Sequence, residues 1–146
     1  MTLILSKAQI ALIEREGVEA YPNECCGALL GKDISGSSAR RVVSEVRPLR
    51  NADESEEQFH RFSLDARDLM ELEKTATLAG LVVLGFYHSH PDHPAKPSKT
   101  DLKSAWPFYS YVIVSIAKGK PVELTSWQLD EATEEFKPET IERSAT

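Results

Sequence analysis

His88-Ser89-His90-Pro91, with Ser98 and Asp101 close behind, is the segment of this sequence whose residue types and spacing could do chemistry. Residues two apart on a strand point to one face, so His88 and His90 at a strand end can present two imidazoles to one metal ion. A short loop can then fold Asp101 back as a third ligand. Two histidines and a carboxylate leave a fourth position for water, the composition of a catalytic zinc site rather than a closed structural one. Each fragment alone also has a plainer reading. An H-x-H pair suits two ordinary histidines, and Ser98-Lys99-Thr100-Asp101 has the form of a helix-capping box. The capping and metal readings are compatible, because a first-turn aspartate can still face a metal. Glu24, after Pro22-Asn23, is by itself a solvated loop carboxylate.

These residues need elements to hold them. Ser6-Lys7-Ala8-Gln9 has capping-box form and opens a helix. Ile10, Ile13, Gly17 and Ala20 follow at helical spacing, and Tyr21-Pro22 closes it. Cys25 to Gly31 reads as a short buried strand, Asp33 to Ser38 as a turn, and Arg40 to Arg50 as a more exposed strand. Asn51 to Gln58 is acidic and aperiodic, a solvated loop. Ser63 caps a second helix, with Asp65 in its first turn and Gly80 past its end. Its buried stripe is Leu69, Leu72, Ala76 and Ala79. Leu81 to His90 is apolar on both faces, the pattern of a central strand covered on both sides. Asp92 to Lys99 is a loop, and Ser98 starts a short helix through Ala105. Phe108 to Ala117 and Val122 to Leu129 are strands joined across Lys118-Gly119-Lys120-Pro121. The expected fold is one mixed α/β domain over residues 1–130, followed by a polar tail, 131–146, that frays.

Bulk properties narrow the function classes. A chain of 146 residues fits one domain. Its net charge of −6 argues against non-specific nucleic-acid binding, which needs clustered Lys and Arg. The apolar run Leu81 to Tyr87 is far short of the roughly 20 residues that cross a bilayer. Met1 to Lys7 has neither a basic leader nor a cleavage site, so the expected location is cytoplasmic. Cys25 and Cys26 are adjacent and read as reduced, buried thiols, with no local pattern of a cysteine nucleophile. His93 reads as a solvent-facing loop residue. His60, after the acidic loop, is a weaker candidate for a substrate groove. Trp106, Phe108, Tyr109 and Tyr111 read as core and strand positions rather than a base-stacking platform.

Taken together, Glu24 and His88-x-His90-x7-Ser98-x2-Asp101 resemble the signature of the JAMM (MPN+) zinc metallopeptidases, a distant glutamate followed by H-x-H-x7-S-x2-D. Glu24-Cys25-Cys26-Gly27, Pro91 and Pro97-Ser98 are similar to the short prokaryotic members, and the likeness runs from about Leu5 to Leu129. The resemblance implies a mixed β-sheet flanked by helices. It assigns His88, His90 and Asp101 to Zn2+, Glu24 to general acid–base work and Ser98 to oxyanion stabilisation. It also implies hydrolysis of an amide bond after the Gly-Gly tail of a ubiquitin-like sulfur-carrier protein. Such a tail, lacking side chains, can pass a narrow groove and add as an edge strand. The competing readings are a general or cell-wall metallopeptidase on the same site and a non-catalytic MPN-type module. The module reading is weakened by the presence of all five positions. A RadC-like chain would read H-N-H and carry an extra helical region.

Overall fold

Ser6 opens the first helix as its sequence requires. In the computed structural model, which describes residues 2–34, 40–49 and 66–145, Ser6 Oγ accepts the Gln9 N–H at 3.1 Å. Gln9 Oε1 accepts the Ser6 N–H in return, at 2.8 Å. The elements run β1 (Thr2–Ser6), α1 (Lys7–Ala20), β2 (Cys26–Ile34), β3 (Arg40–Leu49), α2 (Ala66–Leu78), β4 (Val82–Pro91), α3 (Lys99–Ser104), β5 (Ser110–Ala117), β6 (Lys120–Asp130) and β7 (Glu135–Ser144). The strands close into a barrel in the order β1-β3-β2-β4-β5-β6-β7. β1 runs parallel to β3 and β7, and β4 parallel to β5; the other pairs are antiparallel.

β4 is the central strand that its apolar sequence predicts, buried from Val83 to Pro91. One face meets the cluster that contains Ile10 and Ile13 of α1, with Leu3, Leu5, Leu84, Tyr87 and Ile116. The other meets Leu69, Leu72 and Ala76 of α2, with Leu30, Val83, Phe86 and Tyr111. Each such side chain contributes about 1.5–3 kcal/mol by leaving water, so the strand is held from both sides. Strict alternation would put Leu84 and Phe86 in the same cluster. The register shift opposite Leu29/Leu30 separates them, as a β-bulge does. Beyond it alternation resumes, so His88 and His90 share the face of Phe86. Gly85 sits where β5 comes closest: a Cβ there would lie 1.9 Å from the Ser110 carbonyl oxygen.

Several expectations are corrected. Thr2–Ser6, read only as the approach to a helix, is a strand buried from Leu3 onward. The segment 131–146, expected to fray, carries β7, which pairs with β6 and β1 and closes the barrel. A charged residue at its one buried position hides its period: Glu139 accepts a hydrogen bond from Ser126 Oγ at 2.7 Å. Asp33 belongs to β2 and not to a turn. The turn between β5 and β6 is only Lys118-Gly119, both at positive φ, so Pro121 lies inside β6 at a register shift. Ala79 is exposed just past α2, not part of its buried stripe. Phe108 precedes β5 and is exposed, as is Trp106, whereas Tyr109 and Tyr111 are buried as expected. His60, Ser63, Asp65 and the acidic loop 51–58 lie outside the described residues.

Candidate metal centre

The pairing of β2 with β4 brings the distant glutamate to the histidines. Cys26 lies opposite His88. One residue further on, Cys25 and Ser89 are tied twice: the Ser89 N–H donates to the Cys25 carbonyl at 3.1 Å, and the Cys25 N–H to Ser89 Oγ at 2.8 Å. Glu24, two residues from Cys26, therefore falls on the side of His88 and His90. It is buried and shares a cavity of about 380 Å³ with His90, His93 and Ser98.

His88, His90 and Asp101 converge tightly. The two Nε2 atoms are 3.1 Å apart, Asp101 Oδ1 is 3.2 Å from His88 Nε2, and Oδ2 is 3.1 Å from His90 Nε2. Ligands bound about 2.0–2.1 Å from a tetrahedral zinc lie about 3.3 Å from one another. The donor set therefore fits such an ion in kind and in spacing. Among the described residues, these three form the group able to hold a metal. His90 Nδ1 is 2.9 Å from the Pro94 carbonyl, which can only accept. That contact puts a proton on Nδ1 and leaves Nε2 as the nitrogen that would face a metal; without one, Nε2 lies against Asp101 Oδ2 at 3.1 Å as a hydrogen-bond donor.

The capping reading of Ser98 is borne out. Ser98 Oγ accepts the Asp101 N–H at 3.0 Å, and Asp101 Oδ2 accepts the Ser98 N–H at 2.8 Å. The box therefore starts α3 and orients Asp101, the third candidate ligand, with the same bonds. Because the Ser98 oxygen acts as an acceptor here, its hydroxyl proton is left to point elsewhere.

Charge is distributed unevenly in this cluster. Burial alone would raise Asp101, but hydrogen bonds from His88 and His90 outweigh it and hold the carboxyl well below its usual range. Burial lowers His90, whereas Asp101 and the Pro94 carbonyl reverse that and leave it raised. Glu24 is pushed up to about 9, first by burial and then by the charge of Asp101. A cation among the three ligands would offset that negative charge. The cysteines are chemically quiet: burial pushes Cys25 up to about 11 and Cys26 up to about 12. A thiolate nucleophile has no support there.

All five residues singled out in the sequence thus come together. His93 lines the cavity but is exposed, as expected of a loop histidine. Ser89 and the Pro94 carbonyl, which fix Glu24's neighbour and His90, were not singled out. A backbone acceptor carries no residue signature, and Ser89 reads as a spacer between two candidate ligands.

A family model described as prokaryotic homologues of the JAB domain matches residues 6–130. The chain belongs to the prokaryotic JAB family. Within that family it is 36% identical over 103 residues to a desampylase of Haloferax volcanii, covering 69% of each chain. It is 32% identical over 126 residues to a CysO-cysteine peptidase of Mycobacterium tuberculosis, covering 86% of this chain and 78% of that one. A protein of Desulfitobacterium hafniense of known solution structure superposes with a TM-score of 0.81 at 34% identity, over 100% of this chain and 94% of that one. The mixed sheet with its flanking helices is therefore the JAB fold. No helix among the described residues is long and apolar enough to cross a membrane.

Proposed function

We propose that this JAB-family chain is a zinc-dependent peptidase or isopeptidase that hydrolyses an amide bond after the Gly-Gly tail of a ubiquitin-like sulfur-carrier protein. The observation that carries the reading is one cluster of His88, His90 and Asp101 within 3.1–3.2 Å of each other, beside a cavity that Glu24 and Ser98 line. When bound, zinc lowers the pKa of water to about 7 and polarises a carbonyl. Glu24 accepts the proton of the attacking water and passes it to the departing amine, and its buried setting favours holding that proton between the two steps. Ser98 donates its hydroxyl to the carbonyl oxygen as charge develops there. His90 is kept in register by Pro94, and Asp101 by the Ser98 N–H. The unit that acts includes β7, because β1 and β6 both pair with it. The relatives named as a desampylase and a CysO-cysteine peptidase support this substrate class.

Ser98→Ala is expected to keep its metal and lose about 10²-fold in kcat, the scale of one oxyanion donor. Loss of the cap should cost about 1 kcal/mol, read by chemical denaturation. A variant with unchanged kcat would restrict Ser98 to the cap.

The substrate class is tested by comparing kcat/KM for a ubiquitin-fold carrier extended beyond Gly-Gly with that for its isolated tail peptide. A glycine tail supplies few side-chain contacts, so binding energy must come from the folded body and be used to place the scissile carbonyl. The extended carrier is expected to be cut at least on the order of tenfold better. Equal values would leave a general metallopeptidase on the same site.

A further inference from the structure

Two cavities border Glu24, and their walls carry opposite charge. Towards α1, Glu24 shares a cavity of about 390 Å³ with Glu16, Glu19, Cys25 and Cys26. Towards the loop after β4, it shares one of about 380 Å³ with His90, His93, Lys96 and Ser98. No acid besides Glu24 lines this second cavity among the described residues. Asp92 of the same loop accepts from the Tyr21 hydroxyl at 2.6 Å and the Lys118 N–H at 2.8 Å, and its charge also acts on His93, which leaves Lys96 as the principal cation of this wall.

The loop that carries His93 and Lys96 is held by its own carbonyls. The His93 carbonyl accepts from Ser115 Oγ at 2.6 Å, and the Ala95 carbonyl from Thr125 Oγ1 at 2.6 Å. Between them, the Pro94 carbonyl takes the His90 ring at 2.9 Å and the Lys96 N–H at 2.8 Å. Ala95 is buried, whereas His93 and Lys96 are exposed. On this fixed backbone both residues line a cavity of the size that small molecules occupy, about 300–1,000 Å³. Such a backbone costs little to order when a ligand arrives.

The role proposed for Glu24 decides what this cavity receives. The amide C–N bond breaks, the water oxygen bonds to the carbonyl carbon, and a water proton travels through Glu24 to the departing nitrogen. That nitrogen must come within about 2.6–3.2 Å of the Glu24 carboxyl, so the group attached to it enters a cavity that Glu24 borders. A departing amino acid carries its carboxylate one carbon from the nitrogen. Glu16 and Glu19 would repel that charge; Lys96 attracts it. A lysine side chain departing through Nζ brings four methylene groups and no anion.

We infer that Lys96, with His93 beside it, forms a subsite for the α-carboxylate of the leaving residue. The enzyme thereby favours release of a single amino acid over release of a lysine side chain of a conjugated protein. This rests on the proposed function and names the leaving group within it.

Three substrates on one carrier body test the inference with the zinc-loaded full chain. One is extended beyond Gly-Gly by alanine, one by alaninamide, and one is joined to the Nζ of a lysine in a blocked peptide. The alanine substrate is expected to exceed the alaninamide substrate about tenfold in kcat/KM, mostly through KM, as one charge-assisted contact allows. It should exceed the lysine-linked substrate as well. Lys96→Ala should bring the alanine-to-alaninamide ratio to within about twofold of one, and Lys96→Glu below one, with unchanged thermal unfolding. A ratio near one in the unsubstituted protein, or a preference that survives both substitutions, overturns the subsite while leaving amide hydrolysis intact. Failure to cut any of the three overturns the proposed function, and the subsite falls with it.

Discussion

His88→Ala and Asp101→Ala are each expected to abolish zinc retention and to lower amide hydrolysis by about 10³-fold or more. A bound metal contributes several kcal/mol of transition-state stabilisation, and about 1.4 kcal/mol is one factor of ten. His88 and Asp101 each supply part of a donor set whose members lie 3.1–3.2 Å apart, so removing either leaves too few ligands for a tight site. Asp101→Ala also removes half of the capping box on α3. Asp101→Asn is therefore the companion variant: it keeps the shape and an acceptor for the Ser98 N–H but lacks the charge. Metal content by elemental analysis, alongside circular dichroism to confirm folding, checks both. A folded His88→Ala or Asp101→Asn protein with one zinc and normal turnover would remove the metal assignment.

Glu24→Gln is expected to separate the metal from the chemistry. The amide matches the shape of the protonated carboxyl that burial favours in the metal-free chain, where Glu24 is pushed up to about 9. The variant should fold and retain zinc. It cannot accept or deliver a proton, and general acid–base catalysis is typically worth 10²–10⁴-fold, so kcat should fall by about that much. Zinc content measured beside kcat decides the role. Loss of zinc with loss of activity would make Glu24 a ligand or a folding residue instead.

The site was more legible than the strands that frame it. His88, His90, Ser98 and Asp101 fall within one short stretch, and their spacing states both a strand periodicity and a capping box. Glu24 is distant in sequence, and its residue type alone reads as a solvated loop carboxylate. Its place beside the histidines depends on β2 pairing with β4 at Cys26 and His88, a long-range contact that only the family resemblance anticipated. β1 and β7 carry no readable strand pattern, for different reasons. Leu3, Ile4 and Leu5 form a run too short to show a period, and β7 buries Glu139 where an apolar residue would have marked the pattern. The two strands pair in parallel with each other, a long-range contact that no local preference encodes. Lys96 was invisible for the opposite reason. A lone lysine in a loop is ordinary, and its place in the wall of a cavity that Glu24 borders emerges only in the fold, where three neighbouring carbonyls fix that loop.

The most direct test of the account is a zinc titration of chelator-stripped protein, with cleavage of the Gly-Gly-extended carrier as the readout. Activity should be absent in the stripped protein, rise linearly with added zinc and level off at one equivalent per chain, because one open donor set is present among the described residues. Stripped protein as active as the untreated sample, with zinc shown to be absent, would contradict the central claim.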